Sequence, residues 1–449
     1  MSAKPTVTVI GAASTTFGPK VLRDILNHPE VGGCTFRFVD IQEDRLDIYT
    51  RLAHRVNEVL PEPIAIEATT DRGQALAGSD YVIISVDTGH YTTWQGDFEI
   101  PVAHGIRQVL GELGGPGGLF HSLRQIPLHL DIARDIEALC PQATTMICSN
   151  PLNRICLALE RYADIGEIIG LCHGVEMALY LWLNTLLDID GDDMEVTAAG
   201  VNHFTWILDL RRRSTGEDLY PLVKKTLAEL DPKQHPLSCK LLEVYDYLPG
   251  CLDSHIGEYI PYAHEFCGLE GLDFSGHLDQ ENKRWQYLSD LAANRVQWDT
   301  YEQAQGDQSV LSRELRLDDF FAPRSWADTL AFPIIAAKIS NRLHRMPAVN
   351  LLNNGTIDNL PADIFVESPA VVDASGVQPL RIGALPKPLA TFNRRDVDQM
   401  ELTVEAAVTG DRNRLLQALL LDPVVDNVAA AEQILDEMLK INAEYLPQF

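Results

Sequence analysis

Thr6-Val7-Thr8-Val9-Ile10-Gly11-Ala12-Ala13-Ser14-Thr15-Thr16-Phe17-Gly18, followed by the amphipathic stretch Pro19 to Leu26, decides the fold of this 449-residue chain. A short β-branched run, a glycine turn and a helix form the opening unit of an α/β sheet. A second strand, Thr35 to Val39, ends on Asp40. Tyr81 to Val86, with Asp80 at its start, reads as a third strand, and Thr144 to Cys148, ending at Ser149-Asn150-Pro151, as a fourth. The series continues through Ile168 to Leu171, which places Cys172 at the mouth of the sheet. Strands that alternate with helices imply a parallel sheet with right-handed crossovers.

The fold class expected is therefore α/β: a Rossmann-like dinucleotide-binding domain over residues 1–198 and an α+β substrate and metal domain over 199–449. In the second part Met194 to Ala199 and Thr205 to Arg213 read as strands around the Asn202-His203 turn, and Tyr220 to Leu230 as a helix. Helices around Met400 to Leu421 and Asn427 to Tyr445 are expected to close over the first domain.

A hydrophobic fraction of 46% and a charged fraction of 22% describe an ordinary globular protein. The formal charge of −28 argues against nucleic-acid partners, whose binding rests on cationic contacts to phosphate. It also argues against anionic membranes, and no run approaches the roughly 20 apolar residues of a span. Eight scattered cysteines lack the spacing of a disulfide framework and read as reduced thiols. A cytoplasmic enzyme is expected.

In such a fold a glycine turn brings backbone close to a pyrophosphate at a helix amino terminus. Gly11, Ala13, Ser14, Thr15 and Phe17 are the candidate cofactor contacts, although Gly11-Ala12-Ala13-Ser14 lacks the second glycine of the usual pattern. Asp40 can accept hydrogen bonds from ribose hydroxyls and disfavours a 2′-phosphate, so NAD is preferred to NADP. The alternative for Asp40 is a helix cap before Gln42-Glu43-Asp44-Arg45. Asn150, at a strand's carboxyl end, can bind ribose or substrate hydroxyls, or simply make a turn. Leu171-Cys172-His173-Gly174 and Gly200-Val201-Asn202-His203-Phe204 supply a thiol and an imidazole on separate elements. Such a pair suits zinc, or manganese where open positions are filled by hydroxyls and water; taken alone, a cysteine and a histidine so placed are more often structural. Asp253, His255 and Glu258 have a spacing that could ligate a metal or open a solvated helix.

The order of these motifs resembles glycoside hydrolase family 4, the NAD- and manganese-dependent glycosidases, from Val7 to about Val425. The resemblance implies metal ligation by Cys172 and His203, and sugar contacts from Asn150 and Asn202. Gly111-Glu112-Leu113-Gly114-Gly115-Pro116-Gly117-Gly118, which alone would read as a flexible loop, is similar to a glycine-rich segment beside the family's active site. Glu112, or alternatively His173, is then the candidate acid for the leaving group. Asp97-Phe98-Glu99-Ile100-Pro101 also fits the family, but an arginine common near Thr93 or Trp94 is absent. The general base is assigned to Asp253, with Tyr247 in reserve.

The implied chemistry transfers a hydride from C3 of the sugar to NAD⁺, removes the C2 proton, eliminates the C1 group and adds water. Family members acting on 6-phosphosugars carry Asp or Asn after the metal cysteine; His173 favours an unphosphorylated α-glycoside, a neutral hexoside or a uronide. A uronate would need local cations such as Arg124 or Arg295. The expected assembly is a homodimer or homotetramer. The rival is an NAD-dependent dehydrogenase of the malate or lactate type, which needs no metal thiolate; a non-enzymatic NAD sensor would leave Cys172, His203 and Asp253 unexplained.

Overall fold

Val7, Val9, Phe36, Phe38, Val82 and Ile83 are fully buried, so the first strands are apolar on both faces, as helices packed on either side of a parallel sheet require. The computed structural model describes residues 4–231, 233–293, 295 and 329–449. Strands β1 (Thr6–Ile10), β2 (Thr35–Val39), β3 (Ala65–Thr69), β4 (Tyr81–Ile84), β5 (Thr144–Ile147) and β6 (Ile168–Gly170) are parallel. Their order is β3-β2-β1-β4-β5-β6, which reverses direction between β1 and β4. Ligands of open α/β sheets bind at that kind of reversal, beyond the strand carboxyl ends.

The sheet does not stop at β6. Strand β10 (His344–Leu352) lies antiparallel to it, followed across the sheet by β11 (Phe365–Asp373), β7 (Met194–Val201), β8 (Phe204–Arg212) and the short β9 (Leu248–Pro249). Strand β12 (Gly376–Pro379) pairs with β11. The position of the domain boundary expected after residue 198 lies within β7, a continuous strand paired along its length with β8.

Three features differ from what the sequence suggests. Strand β3 was not foreseen, because Ala-Ile-Glu-Ala-Thr is mostly exposed at the sheet edge and shows no apolar alternation. The glycine-rich stretch is not a free loop: Gly115–Leu139 is a 25-residue helix with Pro116 in its first turn, where a missing N–H costs nothing. The expected helix Met400 to Leu421 is two, Lys387–Thr409 and Arg412–Leu421, separated at Gly410 (φ +71°) with Asp411 capping the second. These helices do pack on the first half, Val397, Met400 and Val404 sharing one apolar cluster with Leu119, Leu123 and Leu157.

Arg124 lies at the centre of this helical layer, 3% exposed, with its guanidinium on the buried Asp97 carboxylate and 2.9 Å from Asn442 Oδ1. It is therefore a structural ion pair and does not meet a uronate. Arg124→Ala leaves Asp97 buried and uncompensated, a loss of about 3–5 kcal/mol. A lowered unfolding midpoint with an unchanged preference between uronides and hexosides is the expected outcome; the reverse pattern would return Arg124 to the substrate.

Candidate functional site

The turn after β1 is built for close approach. Gly11 has φ +84°, and a β-carbon there would lie 2.0 Å from the Ser85 carbonyl oxygen. Asp40 Oδ2 accepts from the Ala13 amide at 3.1 Å and Oδ1 from Gln42 at 3.0 Å, which fixes the carboxylate between the turn and the next helix. Asp40 thereby joins the glycine turn to the chain entering the helix Glu43–Asn57. Beside it Ile41 is 91% exposed, an apolar surface at the strand end of the kind an adenine ring covers. The helix Phe17–Asn27 has no acid in its first turn, which leaves its positive end open to an anion. Ser14 Oγ accepts the Thr16 and Phe17 amides at 3.3 and 3.1 Å. The Phe17 side chain is in the core and Thr15 is buried, so only their backbone can serve a cofactor. These residues fit a dinucleotide.

The second group gathers where β6 ends. Cys172 follows β6 by two residues, and His203 occupies the two-residue turn between β7 and β8 at φ +61°, a left-handed conformation that a tight turn imposes at some cost. Cys172 Sγ and His203 Nε2 are 3.0 Å apart. Two donors of this chemistry converging so closely suit a divalent ion. Burial pushes the Cys172 thiol up to about 12, Glu367 adding to the rise, while hydrogen bonds from Asn202 and the Gly174 amide oppose it. Burial, and then His255, hold His203 well below its ordinary value, so it is neutral and competent as a ligand. Loading a metal must therefore displace the thiol proton, and affinity rises with pH.

Glu367 of β11 ties this corner together. Its Oε1 accepts from Asn202 Nδ2 at 3.1 Å and from Asn350 Nδ2 at 3.1 Å, and its Oε2 from the Thr205 hydroxyl at 2.5 Å. The sequence reading missed Glu367; the available signal was a buried acid in the interior of the largely apolar strand Phe365–Asp373.

Glu112 stands beside this pair. Its Oε1 accepts from Asn150 Nδ2 at 3.0 Å, and its Oε2 lies 3.8 Å from His255 Nδ1. The His255 ring in turn lies on His203, with centroids 4.8 Å apart. Burial raises the Glu112 carboxyl above its ordinary value; His255 opposes this and Glu258 adds to it. His173 is half-buried at the start of the helix Gly174–Met177, directly after Cys172.

Asp253 does something else. Its two oxygens accept the Leu237 and Ser238 amides, each at 2.9 Å, and the Ser238 hydroxyl. It caps the helix Pro236–Tyr245 from outside that helix, so the base assigned to it moves elsewhere. Of the Asp253, His255 and Glu258 spacing, His255 and Glu258 join Glu112, the three offering ligand atoms within 4.8 Å of one another. Tyr247 packs edge-on against Tyr220 with ring centroids 6.4 Å apart. Arg295 is exposed at a helix end and pairs with Asp290 at 3.1 Å, so it is no substrate cation in this structure.

A model of the family 4 glycosyl hydrolases matches residues 6–184, and one of the family's C-terminal domain matches residues 198–425. The chain is 30% identical to an α-glucosidase of Erwinia rhapontici, covering 98% of both chains, and 30% identical to an α-galactosidase of Bacillus subtilis, covering 99% of both. It is 31% identical to a probable 6-phospho-β-glucosidase of Bacillus subtilis, over 99% of this chain and 97% of that one. Among solved structures, a putative glucosidase, lplD, of Bacillus subtilis superposes with a TM-score of 0.83 at 24% identity, over 97% of this chain and all of that one. A 6-phospho-β-glucosidase of Thermotoga maritima, solved with manganese, NAD⁺ and glucose-6-phosphate, gives 0.81 at 21% identity, over 98% and 99%. A lactate dehydrogenase from a Medee basin deep-sea metagenome library gives 0.53 at 12% identity, over 90% and 99%; the rival reading thus keeps the fold and nothing further.

Asp253→Asn should lower stability by about 0.5–2 kcal/mol through the lost cap, with kcat within roughly threefold of the parent. A kcat reduced several hundredfold in a stably folded variant would restore Asp253 as the base.

Proposed function

The chain belongs to family 4 of the glycosyl hydrolases, and on that premise we propose that it cleaves an unphosphorylated α-glycoside by oxidation at C3, deprotonation at C2 and elimination at C1. The observation that carries this reading is the 3.0 Å approach of Cys172 Sγ to His203 Nε2 with the Glu112 and His255 pair beside it. When bound, NAD⁺ supplies a hydride acceptor and the divalent metal a Lewis acid for adjacent sugar oxygens.

The residues divide the remaining work. The Gly11 to Ser14 turn and Asp40 hold the dinucleotide, and Cys172 with His203 holds the metal. Asn202 lies on the metal side, oriented by Glu367, and Asn150 lies on the acid side, bonded to Glu112. Glu112 is raised by burial and holds a proton above the ordinary carboxylate range, as a general acid for the leaving oxygen must. Its contribution is present at low pH and is lost as pH rises through its raised value. His255 flanks both Glu112 and His203; burial lowers it, but Glu258 and Glu112 outweigh burial and raise it, so it is fitted to pair with the carboxyls and not to take the C2 proton. Hydride return after water addition restores NAD⁺, so the reaction is a net hydrolysis.

Three features support the substrate class. His173 follows the metal cysteine, where relatives acting on phosphosugars carry Asp or Asn. Two of the three full-length relatives compared above are named α-glucosidase and α-galactosidase, the third being a probable 6-phospho-β-glucosidase. Arg124 is taken by Asp97, and Arg154 by the Leu113 carbonyl and by Gln399 Oε1 at 2.7 Å, which favours a neutral hexoside over a uronide. All eight cysteines are free thiols, which supports a reducing cytoplasm.

Turnover of an unphosphorylated para-nitrophenyl α-hexoside in D₂O with NAD⁺ and Mn²⁺ should place deuterium at C2 of the released sugar. Proton NMR showing a fully protonated C2 after complete turnover would exclude the route. Faster cleavage of the 6-phosphorylated analogue would overturn the substrate class alone.

A further inference from the structure

Glu258, on the short turn Gly257–Tyr259, is 3% exposed. A carboxylate so placed needs donors around it. One of its oxygens, Oε2, accepts three consecutive backbone amides: Glu112 at 2.7 Å, Leu113 at 2.8 Å and Gly114 at 3.0 Å. Successive N–H groups converging on one point form an anion-binding nest, and here the anion is a side chain of the same protein.

The loop is built around that contact. A β-carbon on Gly114 would lie 2.6 Å from the Glu258 carbonyl oxygen and 2.9 Å from its Cβ, so glycine is the residue that lets the two segments meet. Glu258 Oε1 faces His255 Nδ1 across 3.9 Å, and the same nitrogen lies 3.8 Å from Glu112 Oε2. Glu258 thus reaches Glu112 by two routes, through the backbone amide it holds and through the imidazole both carboxylates flank. Without this anchor the Glu112 backbone amide and its two neighbours lose their common acceptor, and the segment that carries the acid loses its fixed shape.

We propose that Glu258 is a positioning residue for the reaction: it anchors the Glu112–Gly114 backbone and thereby sets where the Glu112 carboxyl delivers its proton. This rests on the reading of Glu112 as the acid. Glu258 itself does not touch the sugar. Its loss should therefore matter in proportion to how much help the leaving oxygen needs.

The test uses the full-length enzyme with NAD⁺ and Mn²⁺ and two glycosides of one sugar, a para-nitrophenyl glycoside with a good leaving group and a methyl glycoside with a poor one. For Glu112→Gln, kcat/KM on the methyl glycoside should fall roughly a hundredfold or more, and on the aryl glycoside less than about tenfold. Glu258→Gln and Glu258→Asp should show the same split at smaller amplitude, about tenfold against little change, with the KM for NAD⁺ unaltered. Either variant suffices if the other does not fold. The Glu112→Gln, Glu258→Gln double variant should be no worse than Glu112→Gln alone, because both changes act on one step. Equal losses on both substrates, no loss on either, or additive losses in the double variant would overturn the proposal. If Glu112→Gln itself shows no split, the assignment of the acid fails, a result separable from failure of Glu258 alone.

Discussion

The buried carboxylate of Glu367 is the constraint on which the site depends. It lies on β11, between β10 and β7, and takes hydrogen bonds from Asn350 on one neighbour and from Asn202 and Thr205 on either side of the β7 to β8 turn. A turn of two residues would otherwise be free to rock, carrying His203 with it. Burial raises the Glu367 carboxyl, and the three side-chain donors oppose that rise. A group so fully partnered gives specificity of placement more than stability, since half-satisfied it would be worse than an apolar residue. Through Asn202 the same anchor reaches Cys172, so both metal donors are referred to one fixed point.

Around that point the protein separates charge by burial. The chain as a whole carries −28, and its site holds two carboxyls, Glu112 and Glu367, raised above their ordinary range and an imidazole, His203, held below its own. Desolvation is the first cause in each case, which is the economy of a water-poor crevice at the end of a sheet. Among the described residues, Arg124 is taken by Asp97, and Arg154 by the Leu113 carbonyl, by Gln399 and, 3.9 Å away, by Asp396.

Much of this was legible in the sequence. Strands β1 and β2 have the bounds their β-branched runs suggest, and Cys172 and His203 meet as the motif order implied. These are features written locally, in periodicity and in short motifs. What escaped was written at a distance. Asp253 looks like a catalytic base in its own segment, and only the fold brings it to the amides of Leu237 and Ser238. Glu258 and Glu367 are single acids in apolar surroundings, with partners 144 to 146 residues away for the first and 162 to 165 residues away along β7 and β8 for the second. Arg124 was weighed as a substrate contact because its partner, Asp97, sits on a different helix. Strand β3 was missed because an exposed edge carries little apolar signal.

The central claim is that Cys172 and His203 together bind a divalent ion in a frame set by Glu367. Cobalt substituted for the native ion reports this directly, because a thiolate bound to Co²⁺ gives a charge-transfer band in the near ultraviolet that oxygen and nitrogen ligands alone do not. The band should appear on titrating the apoenzyme with Co²⁺, vanish in Cys172→Ser, and weaken in Glu367→Gln in step with metal affinity. A cobalt spectrum that is the same in the parent and in Cys172→Ser would contradict the claim.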